Sequence, residues 1–229
     1  MPDRAQIKTA PKSEDTRERI LHAALELFQM RGFEAATMRE IAEHAGVATG
    51  AAYYYFASKD AIVMDFYQRS CERMQPMIEA ALRDASGLEE RLRELIRVKL
   101  THFAPNRGVL RALLRNGADP GYPLSPFSPQ TKPIRDIDID WFRRMLVDCG
   151  IRIPKDLQPH LPGVLWLFQM GVIFFWVIDE SPGQERSDRL LRLAAQCVTS
   201  LIRVSSFPLL RPVRKTALEL VGIVSGAAS

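Results

Sequence analysis

The twenty residues from Thr37 to Phe56 constrain the fold more than any other part of this chain. The segment begins with Thr37-Met-Arg-Glu40, a capping box in which the threonine and glutamate side chains bond each other's backbone N–H groups at a helix start. Gly46 follows one short helix and permits a sharp turn. The ten residues VATGAAYYYF then form a second short helix of small residues that ends in three tyrosines. This order predicts a helix-turn-helix.

Helical patterns continue through nearly the whole chain, and we find no strand-like alternation of useful length. We expect a first helix from about Asp15 and a long fourth helix, capped by Ser58, that reaches about Asp84. Further apolar helical segments are expected at Leu88–Phe103, Val109–Asn116, Ile134–Cys149, Leu161–Asp179 and Glu185–Ser206. The segment 117–133 holds five prolines and is expected to be a long loop.

The predicted fold class is therefore all-α. An N-terminal three-helix domain with a helix-turn-helix would be followed by a larger helical domain. The expected boundaries are a flexible arm at residues 1–14, the small domain at 15–60 and the large domain at 61–229. A chain of 229 residues is long enough for this arrangement.

Composition excludes several other classes of protein. The three cysteines are widely spaced, which argues against a disulfide framework and suits a reducing cytoplasm. We find no Cys/His spacing typical of a metal site and no motif that predicts a cofactor. The first residues hold no apolar signal segment, and the apolar run 161–178 is better explained as a buried core helix than as a membrane span.

Charge alone gives little indication of function. The whole chain has a net charge of +4, yet residues 1–60 hold eight Lys/Arg and nine Asp/Glu. A functional interpretation of the helix-turn-helix must therefore rest on its residue pattern. Its second helix would expose Thr49, Gly50 and Ala51 at its start. Consecutive helix positions point about 100° apart, so at least one of the three tyrosines must face outward.

Residues 16–63 resemble the DNA-binding domain of the TetR family of bacterial transcriptional regulators. Ala52 departs from the pattern, since a leucine is common there. The remaining residues resemble the family only in their all-helical plan. The residues that carry the resemblance are Ile20, Ala23, Ala24, Leu27, Phe28, Gly32, Phe33, Thr37, Ile41, Ala42, Ala45, Gly46, Val47, Tyr53, Tyr55, Phe56 and Lys59.

The resemblance implies a DNA-binding role for eight side chains or backbone positions. Thr37, Tyr53, Tyr55 and Lys59 would contact phosphates, and Thr49, Gly50, Ala51 and Tyr54 would face base edges. The alternative is that these residues are structural, with Thr37 a plain helix cap, Tyr53 a core ring and Lys59 a solvated charge.

The resemblance also implies a homodimer that binds a palindromic operator in double-stranded DNA and is released by a small apolar effector. Dimerisation would use the helices at about 161–179 and 185–206. Ordinary core packing predicts the same apolar residues as an effector pocket does, and Gln169 could be a ligand anchor, an interhelical bond or an exposed group. The candidate effector-binding residues are Phe66, Met74, His102, Phe103, Trp141, Trp166, Gln169, Met170 and Phe174.

Two other classes of function, an enzyme and a helical binding protein, fit the sequence less well than a DNA-binding regulator does. An enzyme is disfavoured because we find no phosphate loop, nucleophile elbow or metal-binding spacing. A helical small-molecule-binding protein without DNA function would be favoured only by Ala52 and the net negative charge of residues 1–60. We therefore expect a cytoplasmic regulator, with repressor favoured over activator.

Overall fold

The computed structural model describes residues 10–207 together with 212, 214–216 and 219. Within this part of the chain there are helices and turns but no strand, so the predicted all-α class is confirmed. The helices are α1 (Ala10–Arg31), α2 (Met38–His44), α3 (Thr49–Tyr55), α4 (Lys59–Asp84), α5 (Gly87–Phe103), α6 (Arg107–Leu113), α7 (Lys132–Asp148), α8 (Leu161–Ile178) and α9 (Glu185–Val204).

The described residues form two compact units that differ from the predicted division at residue 60. The first unit contains residues 10–70 and 105–132, and the second contains 71–104 and 133–207. Residues 61–70 of α4 and the proline-rich segment therefore belong with the helix-turn-helix. Of the arm predicted at 1–14, residues 1–9 lie outside the described residues, and α1 begins at Ala10 rather than Asp15.

The core of the first unit forms where α1, α2 and α3 pack together. Ile20, Ala24 and Phe28 repeat at helical spacing along α1 and are almost completely buried. Ile41 of α2 and Phe56, directly after α3, are buried to the same degree. Burying each of these larger side chains contributes about 1.5–3 kcal/mol to the free energy of folding. This burial holds the short helices α2 and α3 in place.

Ion pairs hold the start of α4 to α1 in the same unit. Asp65 accepts from Arg17 at 2.8 Å and from Arg69 at 2.7 Å through its two carboxylate oxygens. Arg69 also donates to Glu14 at 2.5 Å. The Asp65 side chain is only 12% exposed, so this network is shielded from solvent more than an ordinary surface pair.

The proline-rich segment is a loop, as predicted, and its backbone forms an ordered series of turns. Three tripeptides repeat the pattern Pro-X-Ser/Thr from Pro123 to Thr131. Pro123 and Pro126 each occupy the second position of a turn, which suits their fixed φ. The hydroxyls of Ser125, Ser128 and Thr131 are buried and donate to backbone carbonyls at 2.6–2.8 Å. Because proline has no backbone N–H to donate, these hydroxyls supply hydrogen bonds to carbonyls that would otherwise lack a donor.

The second unit has its core among α5, α7, α8 and α9. Leu92 and Ile96 on α5, Phe142 on α7 and Leu165 on α8 are completely or almost completely buried. The part of α4 in this unit contains Pro76, which removes one helical hydrogen bond. The predicted spans of α5, α7, α8 and α9 agree with the structure to within two residues at each end.

Helices α8 and α9 form a hairpin that Asp179 closes. Its carboxylate accepts from the Ser181 N–H at 3.0 Å, and from the N–H and hydroxyl of Ser187 at 2.9 and 2.6 Å. The hydrogen bond from the Ser187 hydroxyl is the main cause that holds the pKa of Asp179 far below its usual range. The N-terminal end of α9 thereby receives a buried negative charge, which its dipole favours.

Helix α8 is long and apolar enough to cross a membrane by length and composition alone. Half of its residues are buried within the protein. Since the core helix of a soluble protein meets the same criterion, this observation agrees with the core helix expected from the sequence.

Candidate nucleic-acid interface

The angle between α2 and α3 is set by a glycine in the left-handed region. Gly46 has φ +65°. Its N–H bonds to Glu43 O at 3.0 Å, and the N–H of Val47 bonds to Ala42 O at 2.9 Å, the paired bonds of a Schellman motif. Arg19 of α1 donates to the carbonyls of Ala45 and Gly46 at 2.5 and 3.2 Å. The turn is therefore fixed from both sides.

Helix α3 has one buried side and one broad exposed side. Ala52 is completely buried and is followed one turn later by buried Phe56. Thr49 and Gly50 are exposed, as are the residues one turn after each of them, Tyr53 and Tyr54. The exposed residues of α3 thus form one continuous face, which we call the α3 face: Thr49, Gly50, Tyr53 and Tyr54.

The three tyrosines differ in exposure. Tyr54 is 83% exposed and Tyr53 is 53% exposed, so the interpretation of Tyr53 as a core ring is wrong. Tyr55 is half-buried, and its ring meets that of Tyr54 edge to face with centroids 5.2 Å apart. Ala51 is half-buried as well and lies at the edge of the α3 face. An exposed pair of large aromatic rings is available to a partner.

Thr37 caps α2 as the sequence predicts. The Glu40 N–H donates to Thr37 Oγ1 at 3.2 Å, while the Thr37 N–H donates to Glu40 Oε2 at 2.9 Å. The Thr37 hydroxyl also donates to the same carboxylate at 2.8 Å, and this bond is the largest cause of the lowered pKa of Glu40. Thr37 is exposed, but its hydroxyl hydrogen is already used.

Lys59 is held within the first unit. Its ammonium donates to the carbonyls of Phe33 and Glu34 at 2.7 and 3.2 Å. It also lies 4.7 Å from the centre of the Phe33 ring. Two of three donors therefore stabilise the turn between α1 and α2. The interpretation of Lys59 as a solvated charge is wrong.

Arg39 is a residue that the sequence reasoning missed. It lies near the start of α2, is exposed, and makes no ion pair or hydrogen bond among the residues that the structure describes. By contrast, Arg17, Arg19 and Arg31 bond acidic groups or carbonyls. The sequence could have indicated Arg39, because it is the second residue of a capped helix and lies on the side opposite the apolar residues Met38 and Ile41.

The candidate effector-binding residues are divided between the two units. Phe66 lies in the first unit and the other eight lie in the second. Met74, Trp141, Trp166, Gln169 and Met170 are buried. The half-buried members are His102, Phe103 and Phe174. Burial, with the nearby Arg73 as a smaller cause, lowers the pKa of His102.

No group of three or more His, Cys, Asp or Glu side chains that could hold a metal ion occurs among the described residues. Cys71, Cys149 and Cys197 are free thiols. Burial raises the pKa of Cys71 to about 11, so its thiol is protonated at neutral pH and is a poor nucleophile.

The fold and the α3 face define a helix-turn-helix protein with a large helical second unit, and comparisons with known proteins agree. Residues 20–65 match the model of bacterial regulatory proteins of the tetR family. Residues 91–220, more than half of the chain, match the tetracyclin repressor-like C-terminal domain. The chain belongs to the TetR family of bacterial regulatory proteins, as the resemblance implied.

Similarity to individual relatives is strongest around the helix-turn-helix. The HTH-type transcriptional regulator SrpR of Pseudomonas putida is 50% identical over 52 residues, which cover 23% of this chain and 24% of that protein. The chain therefore matches about a quarter of the length of this relative.

Solved structures share the fold over most of the chain. A TetR-family regulator from Syntrophomonas wolfei superposes with a TM-score of 0.65 at 20% identity, covering 81% of this chain and 95% of that one. The regulator FadR from Bacillus subtilis, solved in complex with stearoyl-CoA, gives a TM-score of 0.62 at 17% identity, with 78% and 97% covered.

Proposed function

We propose that this chain is a DNA-binding transcriptional regulator whose α3 face enters the major groove. The observation that carries the proposal is the exposure of Thr49, Gly50, Tyr53 and Tyr54 along one side of a short helix whose other side is buried. A helix-turn-helix binds DNA by placing its second helix in the major groove.

The residues of the α3 face suit different parts of the DNA surface. Thr49 can hydrogen-bond a base edge or meet a thymine methyl, and Gly50 lets the helix backbone approach closely. Tyr54, and Ala51 at the edge of the α3 face, would also face base edges. Tyr53 and Tyr55 carry hydroxyls that can donate to phosphates.

Three residues near the α3 face bear on the proposed phosphate contacts. Lys59 has one ammonium donor left after bonding Phe33 and Glu34. The Thr37 hydroxyl hydrogen is used by Glu40, so Thr37 would have to give up that bond in order to donate to a phosphate. We add Arg39, whose guanidinium is exposed on α2, as a phosphate contact.

Fluorescence anisotropy on DNA that flanks the chain's own gene, at two salt concentrations, tests the proposal. The wild-type protein should prefer this DNA to a scrambled duplex, and affinity should fall steeply with salt. Replacing Tyr54 with Ala should weaken binding to this DNA by about tenfold. Met30→Ala, on α1, is the control because Met30 is also exposed.

Equal affinity of Tyr54→Ala and wild type for this DNA, in folded protein, would remove Tyr54 from the interface. Equal weak binding of the wild type to both duplexes would instead leave two options, a distant operator or a helical small-molecule-binding protein without DNA function, which selection of bound duplexes from random DNA separates.

Exposed apolar residues on α8 and α9 support a homodimer. On α8, Leu167, Gly171 and Ile178 are exposed. On α9, Leu193 and Leu201 are 45% and 61% exposed. Within each helix these residues recur at spacings that place them on one side. We propose that the two stripes meet those of a second copy in a four-helix bundle, as the resemblance implies.

A dimer would hold two α3 helices and bind a palindromic operator with half-sites one DNA turn, or a multiple, apart. We propose further that a small, largely apolar effector binds in the second unit and releases the DNA, which makes the protein a cytoplasmic repressor. The apolar side chains of Trp141, Trp166 and Met170 support such a ligand. FadR, with its bound stearoyl-CoA, shows that a protein of this fold holds a molecule with a long apolar chain.

A further inference from the structure

A charged and polar cluster is buried in the core of the second unit. Lys99 on α5 and Gln169 on α8 are each 1% exposed. Asp138 on α7 joins them. Its Oδ1 lies 2.7 Å from Lys99 Nζ, and its Oδ2 accepts from Gln169 Nε2 at 3.0 Å. Three helices thus contribute one polar side chain each to the cluster, and two of these side chains meet the carboxylate of the third.

The surroundings of this cluster are apolar. Lys99 follows the buried Leu95 and Ile96 by one helical turn. Its ammonium lies 5.8 Å from the centre of the ring of Phe142. Gln169 is one turn after Leu165 and Trp166, which are also buried. In such surroundings an unpaired polar atom is costly, because no solvent is close enough to bond it.

Two polar atoms of the cluster have unused bonding capacity. Gln169 Oε1 is buried and accepts no hydrogen bond from the residues that the structure describes. Lys99 Nζ lies 2.7 Å from Asp138 Oδ1, which engages one of its three donors, and it has no other hydrogen-bond partner among the described residues. Gln169 Oε1 and the remaining donors of the Lys99 ammonium therefore lie beside the same carboxylate without hydrogen-bond partners.

The charge of the cluster limits what could complete it. Lys99 and Asp138 cancel each other, so a ligand carboxylate would bring an uncompensated negative charge into the core. The thiol of Cys71, which feels both of these charges, is kept protonated by a pKa raised to about 11, mainly by burial. A neutral group that both donates and accepts a hydrogen bond satisfies the two unused atoms without adding charge.

We infer that the cluster is the polar anchor of the effector site and takes an uncharged apolar molecule that carries a hydroxyl group. The hydroxyl donates to Gln169 Oε1 and accepts from Lys99 Nζ, while the apolar part of the molecule lies against aromatic and aliphatic side chains. This inference rests on the proposed function, since it names the chemical class of the effector.

The role differs from that of a cluster that only specifies helix packing. A packing cluster gains nothing from an unsatisfied acceptor, and nearly all buried polar groups in proteins are paired. An acceptor completed only by a ligand makes the bound state more favourable than the free state, which is the differential affinity that a switch requires.

Tryptophan fluorescence can measure binding at this site directly. The chain has three tryptophans, and Trp141 and Trp166 each lie three residues from a member of the cluster. The probes are 1-decanol and 4-hexylphenol, which carry a hydroxyl, decyl methyl ether, which only accepts, and decanoate, which is anionic. We expect both hydroxyl probes to bind the wild-type protein about tenfold more tightly than the ether and decanoate.

The variant Gln169→Leu should lose about tenfold in affinity for the hydroxyl probes and bind the ether as the wild type does. Thr199→Val is the matched control, because Thr199 is also buried but bonds only carbonyls of its own helix. It should leave every probe affinity unchanged. Retained DNA affinity and a cooperative thermal unfolding transition without probe would show that Gln169→Leu is folded.

Three results would overturn the inference: no binding by either hydroxyl probe, equal affinity of Gln169→Leu for them, or tightest binding by decanoate. DNA affinity measured without any probe reports separately on the proposed function. If the protein does not bind DNA, the fluorescence titrations still test the ligand site. If the probes do not bind, the DNA measurements still test the proposed function.

Discussion

At the scale of single residues, backbone conformation and donor satisfaction decide what each side chain can do. Gly46 has φ +65°, where a residue with a Cβ is strained by about 1–2 kcal/mol. A Cβ there would also lie 3.2 Å from Nη2 of Arg19. Alanine makes the unfolded chain less flexible, which offsets part of this cost.

We therefore expect Gly46→Ala to destabilise the first unit by about 1 kcal/mol. Urea unfolding measures this change. Gly50→Ala, at a helical position with nothing within 4 Å of the added Cβ, is the control and should be neutral or slightly stabilising. A Gly46→Ala protein as stable as the wild type would contradict the geometry of the turn.

Lys59 and Arg39 should respond differently to substitution. Lys59→Met keeps the aliphatic part of the side chain but loses two bonds to carbonyls, so it should cost about 1–2 kcal/mol of stability. Arg39→Gln should leave stability unchanged and reduce the salt dependence of DNA binding by about one counterion.

Urea unfolding and anisotropy against salt concentration test the pair together. A stable Lys59→Met protein would show that its bonds to the α1–α2 turn contribute nothing. An unchanged salt slope for Arg39→Gln would place Arg39 outside the interface.

Single positions also show where the sequence was informative and where it was not. The capping box at Thr37 and the left-handed Gly46 are local signals, because each bonds residues a few positions away. Lys99 and Asp138 were missed, since a charged side chain at helical spacing with apolar residues is ordinarily solvated. Only the meeting of three helices distant in sequence makes their burial tolerable.

At the scale of the helices and turns, the hairpin of α8 and α9 depends on one carboxylate. The pKa of Asp179 is lowered in the folded state, chiefly by the Ser187 hydroxyl. A group with a lowered folded pKa stabilises the protein above its unfolded pKa, about 3.9 for aspartate. This stability is lost as pH falls below that value and through the folded pKa.

Asp179→Asn should therefore be less stable than wild type at pH 7, and the difference should shrink as pH falls below about 4. Thermal unfolding of both proteins from pH 7 to pH 3 measures this. Asp148→Asn, on exposed α7 surface with its nearest cation 3.9 Å away, is the control. A stability difference independent of pH would contradict the role of the charge.

Element boundaries were predictable where the helical periodicity of apolar residues was clear, as for α5, α8 and α9. The segment 117–133 was correctly predicted as a loop, but its ordered turns were not, because nothing local indicated its buried hydroxyls. In retrospect, the repeat of Pro-X-Ser/Thr with a period of three was the signal. The turns begin three residues apart, so a hydroxyl at every third residue occupies the same position in each turn.

At the scale of the whole molecule, the proposed homodimer depends on the exposed apolar residues of α8 and α9. Leu193→Glu with Leu201→Glu would place charges in the proposed interface without changing the core of the second unit. An unpaired buried charge costs about 3 kcal/mol or more, so dimer affinity should fall at least about a hundredfold.

Light scattering at micromolar concentration should give twice the chain mass for the wild type and the chain mass for the double variant. Val147→Glu is the control, since Val147 is 74% exposed but lies on α7, and it should remain dimeric. A wild type that scatters as a monomer would contradict the proposed interface.

The central claim is that two α3 faces, held by a dimer, select a symmetric DNA sequence. The most direct measurement is selection of bound duplexes from random DNA, followed by sequencing, with the wild type and Tyr54→Ala in parallel. We expect a palindromic motif with half-sites one DNA turn, or a multiple, apart, and a weaker or altered motif for the variant. Recovery of no enriched motif by the wild type, or of an identical motif by both proteins, would contradict the claim.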